Sequence, residues 1–303
     1  MIRRPIIYLI FCFSLTSCLD LNQVQPKTRT VKKNSILLLR IEGLITSELS
    51  ERFMLNVRRH ANKDKIKGVL IRVNSPGGTV GASQEINATV LEIKKRYKKP
   101  VYVSGGDLVA SGAVYSIVSA DKIFVNPGTL FGSIGILMQF SNISELIRWA
   151  KMEIYNLKAG EFKDSGSPLR EMTLRERELF EDLMEGTMEQ FKTAILEGRK
   201  IEDSKLEQFA DGRVFSGVDA LEYGLVDSVG TFNQTIREIG EKTGLGSDPD
   251  LFDPDAKTSF ERFFETLSYK KVPFLSNVFS KINQFDKLSG HTLFILPSYI
   301  KSY

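Results

Sequence analysis

Cysteine and histidine are scarce in this chain of 303 residues. Its two cysteines, Cys12 and Cys18, both lie near the N-terminus, so a disulfide framework or a cysteine-ligated metal site is excluded for the rest of the chain. The two histidines, His60 and His291, lie in a polar stretch and in the C-terminal tail, and we expect both to be exposed. A Ser-His-Asp triad, which needs a histidine as general base, is therefore poorly supported.

A strong excess of charge of one sign is also missing. The formal net charge is +4, and the basic run at residues 94–99 is expected to be the solvated end of a helix. Because no basic stripe is interleaved with aromatic residues, nucleic acid is not expected as a partner. Hydrophobic residues make up 42% of the chain and charged residues 26%, which is ordinary for a globular protein.

The N-terminus has the composition of an export signal. Two arginines precede an apolar run at residues 6–15, which is too short to span a bilayer comfortably on its own. The next residues, Leu-Thr-Ser-Cys, resemble a bacterial lipobox, in which Cys18 would be lipidated and become the mature N-terminus. An uncleaved signal anchor is the alternative, and both put the folded part outside the cytoplasm on a membrane. Residues 1–33 are thus predicted to be the anchor and tether.

Apolar runs alternate with helical patterns after the tether. Five runs predict strands: residues 35–41, 68–74, 100–103, 122–125 and 153–157. Helical spacing of apolar residues predicts helices at residues 86–97, 143–152 and, with a capping box, 173–199. This order favours an α/β fold with a mostly parallel sheet. The compact domain is predicted over residues 34–243, and a proline- and aspartate-containing linker with an apolar tail over residues 244–303.

Ser111 is the first candidate for chemistry. It follows an apolar run and opens a small-residue helix, and at such a junction the hydroxyl and the next backbone N–H are presented at a turn. The alternative is an ordinary N-cap serine. A serine nucleophile needs a base, and without a suitable histidine a lysine is the remaining choice. Lys163 lies in a Gly/Ser loop beyond a predicted strand, and Lys158 is its competitor.

Two glycine-containing turns accompany the serine. Gly77 and Gly78 lie between a predicted strand and a helix, where backbone N–H groups can approach a ligand and form an oxyanion hole. A plain Pro-Gly-Gly turn is the alternative, and a phosphate loop is disfavoured because its lysine-serine/threonine ending is missing. Ser133 lies in a Gly-Ser-Ile-Gly run and is a candidate to hydrogen-bond the lysine amine. The alternative is that Ser133 is an ordinary turn residue.

These motifs occur in an order that resembles one family. The matching motifs are Asn-Ser-Pro-Gly-Gly (74–78), Ala-Ser-Gly (110–112), Gly-Ser-Ile-Gly (132–135), Lys-Asp (163–164) and Asp-Gly-Arg-Val (211–214). They resemble the short form of bacterial signal peptide peptidase A over residues 36–230. The resemblance implies a crotonase-like (Clp-protease-like) α/β fold, a superhelix of repeated ββα units. A long helix near the C-terminal end and an irregular C-terminal tail complete the expected chain.

The resemblance also implies an activity, a membrane-bound serine peptidase with a Ser-Lys dyad. It implies six site residues: Ser111 as nucleophile, Lys163 as general base, Ser133 as the hydroxyl supporting the lysine, and Gly77, Gly78 and Gly112 as oxyanion donors. The implied substrates are remnant signal peptides and other extended apolar peptides. Ring-like homo-oligomers with sites between protomers are implied as well, and no metal or organic cofactor is needed.

Two other functions stay open at this point. A catalytically silent membrane scaffold would bind apolar peptides without needing both Ser111 and Lys163. A crotonase-type acyl-CoA enzyme would also use glycine-rich oxyanion turns, but it would act on thioesters and would not need an export signal.

Overall fold

The structure is a computed structural model that describes residues 30–31 and 33–256, together with the backbone of residues 293–295. The predicted export signal, Cys18 and most of the predicted C-terminal tail lie outside the described residues. Within the described part, no helix combines the length and the apolar character that crossing a bilayer requires.

Strands and helices alternate along the described chain. The strands are β1 (Ser35–Glu42), β2 (Ile66–Ser75), β3 (Gly77–Thr79), β4 (Val101–Ala110), β5 (Lys122–Val125), β6 (Leu130–Gly132), β7 (Val214–Phe215), β8 (Ser228–Val229), β9 (Leu251–Phe252) and β10 (Leu293–Ile295). The helices are α1 (Ser47–His60), α2 (Val80–Lys95), α3 (Gly112–Ile117), α4 (Ser144–Trp149), α5 (Leu174–Gly198), α6 (Asp203–Leu206), α7 (Gly217–Tyr223) and α8 (Phe232–Lys242).

A mostly parallel sheet forms the centre of the fold. Its strand order is β7-β6-β4-β2-β1-β9, with β5 beside β4 and β8 beside β5. Every pair in this sheet is parallel except β6 with β7. The predicted α/β fold class with a mostly parallel sheet is therefore confirmed.

The sheet is buried on both faces, which explains why its strands are nearly continuous apolar runs. In β1, Leu37, Leu39 and Ile41 belong to one hydrophobic cluster, which the buried faces of α1 and α2 complete. Ile36 and Leu38 point to the other face and pack in a second cluster with residues of α8. Because successive side chains of a strand face opposite ways, one apolar run fills both layers.

Two predicted segments differ from the structure. The strand expected at residues 153–157 is absent, and Tyr155 and Leu157 are largely or fully exposed because no strand edge of the described chain pairs with this run. Beyond residue 243, where a linker is predicted, β9 pairs in parallel with Ile36 and Leu37 of β1 and extends the sheet.

The long predicted helix is present as α5, and Thr173 forms the predicted capping box with Glu176. The residues whose helical spacing predicts this helix, at positions 180, 184, 187, 191 and 195, are not all buried. Phe191 and Ile195 are fully buried, while Phe180, Met184 and Thr187, nearer the start of the helix, are half-buried. The first half of α5 thus has less of the chain packed against it than the second half.

His60 was expected at the surface and is buried, with only 4% of its area exposed. Its ring centroid lies 4.9 Å from that of Phe252, so β9 covers it. Burial, with smaller contributions from the charges of Lys63 and Arg59, lowers the pKa of His60 from 6.5 to about 4. The folded protein therefore keeps His60 neutral at pH values where the unfolded chain protonates it.

This burial predicts an acid-sensitive component of stability. As pH falls from 6.5 towards 4, the unfolded chain gains a proton that the folded chain does not, which lowers the free energy of unfolding by at most about 1.4 kcal/mol per pH unit. Urea unfolding of a His60→Gln variant is expected to depend less on pH across this window. An equal pH dependence in wild type and in His60→Gln would contradict the assignment.

Candidate active site

The carboxyl ends of three neighbouring strands meet at one edge of the sheet. β2 ends at Ser75, which pairs with Val109 of β4, and Ala110 at the end of β4 pairs with Gly132 at the end of β6. The residues that follow these ends are therefore neighbours: the Pro-Gly-Gly turn, Ser111 and Ser133. In parallel α/β sheets this edge is where ligands bind.

Ser111 has a backbone conformation that serine rarely adopts. Its φ is +53° and its ψ is −116°, at the junction of β4 and α3. The Ser111 N–H donates to the carbonyl oxygen of Gly132 at 2.7 Å, which ties the turn to the end of β6. Strain of this kind costs about 1–3 kcal/mol and persists only where surrounding contacts impose it.

The side chain of Ser111 does not cap the helix that follows it. Ser111 occupies the N-cap position of α3, but its side chain makes no capping hydrogen bond, so the hydroxyl does not have the usual role of an N-cap serine. The residue is 1% exposed, and its Oγ lies 3.5 Å from the carbonyl oxygen of Gly135. This geometry resembles a nucleophile elbow, a sharp strand-to-helix turn in which the hydroxyl makes no bond to its own helix. The next residue, here Gly112, begins the helix and presents its backbone N–H beside the hydroxyl.

The Pro-Gly-Gly turn leads into β3 and requires glycine at both positions. Gly77 has φ +102°, and its N–H donates to Ser75 Oγ at 3.1 Å. At Gly78 a Cβ atom would lie 2.0 Å from the carbonyl oxygen of Ile45. That close approach forms because the N–H of Ile45 donates to Gly77 O at 2.8 Å and the N–H of Thr79 donates to Ile45 O at 2.9 Å.

One edge of β3 is thus occupied by Ile45. Since neighbouring residues in a strand direct their N–H groups to opposite edges, the N–H of Gly78 faces the other edge. On that edge the chain's own residues 293–295 pair with β3 as an antiparallel strand, with Phe294 opposite Gly78. The strand that carries the predicted oxyanion donor therefore accepts an extended peptide segment.

The turn around Ser133 is supported by a motif whose role the sequence did not indicate. Gly132 has φ +108°, and a Cβ there would lie 2.6 Å from the Phe215 ring. Ser133 has φ +49° and is buried, and its N–H donates to the carbonyl oxygen of Arg213 at 2.7 Å. The Asp-Gly-Arg-Val run thus acts through its backbone, together with the β6–β7 pairing. No sequence signal distinguishes such backbone contacts from those of an ordinary turn.

Lys163 stands apart from this cluster. It lies on an exposed turn between α4 and α5, where its N–H donates to Gly160 O at 3.3 Å. Its side chain forms no hydrogen bond or ion pair with any described residue. Lys158, the competing lysine, is engaged by the carboxylate of Asp164 and by the carbonyl oxygen of Glu161. The structure therefore brings Ser111, the glycine turn and Ser133 together but joins neither lysine to them.

Metal ligands do not gather in the described part of the chain. There, no three His, Cys, Asp or Glu side chains come close enough to hold a metal ion.

Known proteins resemble this chain over most of the described region. The profile named "Peptidase family S49" matches residues 93–246, which include Ser111, Ser133 and Lys163. "Putative protease slr0021" from Synechocystis sp. is 34% identical over 229 residues, covering 76% of this chain and 80% of the relative. "Putative signal peptide peptidase SppA" from Enterococcus faecium is 32% identical over 64% of this chain and 56% of the relative. "Protease 4" from Haemophilus influenzae is 29% identical over 68% of this chain and 34% of the relative.

The chain thus spans less than two thirds of the length of the latter two relatives. Among solved structures, a mutant ClpP1 from Listeria monocytogenes aligns with 64% of this chain and 91% of its own, with 21% identity and a TM-score of 0.44.

These comparisons identify the protein as a serine protease. The profile matches more than half of the chain, and a relative at 34% identity covers three quarters of it. The chain belongs to peptidase family S49.

The contact between Gly78 and Ile45 yields a direct test of the turn. A Gly78→Ala variant places a methyl group against the Ile45 backbone, so β3 must move and carry the Gly78 N–H with it. If Gly78 is the oxyanion donor that the sequence predicts, kcat in peptidase assays should fall by about 10²–10³-fold, the usual effect of removing one such donor.

Gly81→Ala is the matched control, because a Cβ at Gly81 in α2 meets nothing within 4 Å. Equal activities of the two variants, at equal melting temperatures, would contradict the role given to the Gly78 turn.

Proposed function

We propose that the protein is a membrane-anchored serine endopeptidase that degrades remnant signal peptides and other extended apolar peptides. The observation that carries this proposal is the strained, buried Ser111 at the end of β4, next to the Gly78 turn and the Ser133 turn. Nothing in the packing of a plain strand-to-helix connection requires a serine with these backbone angles.

The proposed reaction passes through an acyl-enzyme. Ser111 Oγ attacks the peptide carbonyl while the neutral amine of Lys163 takes the hydroxyl proton. The N–H groups of Gly78 and Gly112 stabilise the oxyanion, and Lys163 returns the proton to the leaving amine as the peptide bond breaks. Lys163 then activates a water molecule that hydrolyses the Ser111 ester, and Ser133 supports the lysine amine throughout.

A second copy of the chain is proposed to supply Lys163 to each Ser111. Within one chain the Lys163 side chain has no partner among the described residues, and α4, which precedes its turn, buries none of its residues. Large apolar side chains are exposed along the same segment: Trp149 by 81%, Tyr155 by 80% and Leu157 completely. Several exposed large apolar side chains along one segment are typical of a protein interface, and a symmetric homo-oligomer would cover them.

Extended peptides suit the edge of β3 that faces away from Ile45. Residues 293–295 already pair there as an antiparallel strand, which is how a substrate backbone would add to the sheet. Main-chain hydrogen bonds of this type bind many sequences, which fits a peptidase that removes varied apolar segments.

The membrane anchor is proposed from the N-terminal sequence. Residues 1–33 combine a basic start, an apolar run and a lipobox-like end at Cys18, so lipidation or an uncleaved signal would hold the peptidase domain on the extracytoplasmic face.

Labelling of the full-length protein by a serine-directed fluorophosphonate tests the proposal. Wild type is expected to label at Ser111, and labelling should rise with pH because the base must be neutral. Ser111→Ala and Lys163→Ala should each lose labelling, while Lys158→Ala should keep most of it at high pH because Lys158 is ion-paired to Asp164. A well-folded wild type in membranes that never labels would favour the silent scaffold instead.

Mixing the two inactive variants tests where the base comes from. If Lys163 acts on the Ser111 of a neighbouring copy, co-expressed Ser111→Ala and Lys163→Ala chains will form some complete sites, and part of the activity will return. Ser111→Ala mixed with a Ser111→Ala/Lys163→Ala chain is the matched control. Absence of recovery in mixed oligomers would place both residues of a site in one chain.

If residues 293–295 compete with an extended substrate for the edge of β3, weakening their pairing should strengthen substrate binding. Phe294→Pro removes a backbone N–H that antiparallel pairing with Gly78 uses, whereas Phe294→Ala keeps it. Because a tethered segment competes at high effective concentration, Phe294→Pro is expected to lower KM for an extended peptide by roughly 3-fold or more with kcat unchanged. The same KM in the proline variant, the alanine control and wild type would show that substrates do not use this edge.

A further inference from the structure

We propose that Arg170 is a positioning residue for the reaction: it holds the turn that carries Lys163 and keeps the Asp164 carboxylate away from the Lys163 amine. This inference rests on the proposed function, since it concerns the residue assigned there as the base. Arg170 itself contacts neither Ser111 nor the oxyanion turn.

Arg170 binds two carboxylates at once. Its Nε and Nη2 donate to the two oxygens of Asp164 at 3.1 and 2.9 Å, a bidentate pair of the kind that fixes geometry as well as charge. Its Nη1 donates to Glu176 Oε2 at 2.8 Å, and Nη2 also contacts Glu176 Oε1. A single guanidinium therefore joins the Lys163 turn to α5.

The α5 end of this link is rigid. Glu176 is only 3% exposed and accepts the backbone N–H of Thr173 at 2.8 Å in the capping box. Hydrogen bonds from Arg170 and from Thr173 hold the pKa of Glu176 well below its usual range, so its negative charge persists at the positive end of the helix dipole. The turn is thus attached to the first turn of a 25-residue helix rather than to another loop.

Asp164 is the neighbour of Lys163 in sequence, and both of its oxygens are engaged by other cations. Arg170 binds both oxygens, and Lys158 binds Oδ1. These hydrogen bonds hold the pKa of Asp164 well below its usual range, so it is a permanent anion beside the proposed base.

The other acidic group that faces this turn is satisfied in the same way. Glu161 pairs with Arg175, whose guanidinium also lies 5.5 Å from the centre of the Phe162 ring. Each carboxylate of the turn therefore has a cationic partner of its own, while the Lys163 amine has none among the described residues. An ammonium without a nearby carboxylate loses its proton more readily than one with an ion pair.

Removing Arg170 is expected to change the charge state of Lys163 as well as its position. In Arg170→Gln the Asp164 carboxylate keeps only Lys158 as a partner and becomes available to the Lys163 ammonium. The protonated amine is then stabilised, and the pH at which fluorophosphonate labelling is half-maximal should rise by roughly 0.5–1 unit, within the range that a nearby charge produces. Below that midpoint the labelling rate should fall by roughly 3- to 10-fold, the same shift expressed as a rate.

The double variant Arg170→Gln/Asp164→Asn separates charge from structure. Without the aspartate charge the midpoint should return to its wild-type value, even if the labelling rate stays low because the turn is less well fixed. Arg96→Gln, which removes an exposed arginine–carboxylate pair at the end of α2, is the matched control and should leave the midpoint unchanged.

A midpoint that does not move in Arg170→Gln, or that stays raised in the double variant, would overturn the proposal. If Arg170→Gln does not fold, judged by circular dichroism, Lys158→Gln removes the other partner of Asp164 and should raise the midpoint in the same direction. A folded wild type that fails to label would instead refute the proposed function, so the two failures are distinguishable.

Discussion

The site depends on the parallel pairing of β4 with β2 on one side and β6 on the other. These ladders end within one or two residues of each other, so three chain segments that are far apart in sequence turn at the same edge. The central strand then continues into Ser111, whose N–H is bound by the carbonyl of Gly132 from β6. A change of register in either ladder would separate the serine from its neighbours, because every strand residue advances about 3.3 Å.

Glycine makes these close approaches possible. Gly78 lies against the Ile45 backbone and Gly132 against the Phe215 ring, and a Cβ atom at either position would collide. Between them Ser111 takes a conformation that costs energy, which the surrounding buried strands must offset. The same contacts that impose this strain therefore also aim the N–H groups of the site.

The segment that carries Lys163 is exposed, whereas the turns around Ser111 are buried. Residues near it expose large apolar side chains and lack a strand partner, while its charged groups are fixed locally by Arg170 and Arg175. A turn that is well ordered within itself but uncovered on its outer face is suited to meet another surface. This combination is consistent with the proposed delivery of the base from a second copy.

The sequence by itself determined much of this protein. Continuous apolar runs marked four of the parallel strands, because both faces of the sheet are buried, and the Thr173 capping box marked the start of α5. The Ser111 and Gly77-Gly78 positions could be identified as candidates because their spacing falls at strand ends. Only the tertiary structure decided that residues 153–157 have no strand partner, that β9 covers His60, and that residues 293–295 pair with β3. Each of these depends on whether distant segments of the backbone pair with each other. Such pairing has no signature in the periodicity or composition of the local sequence.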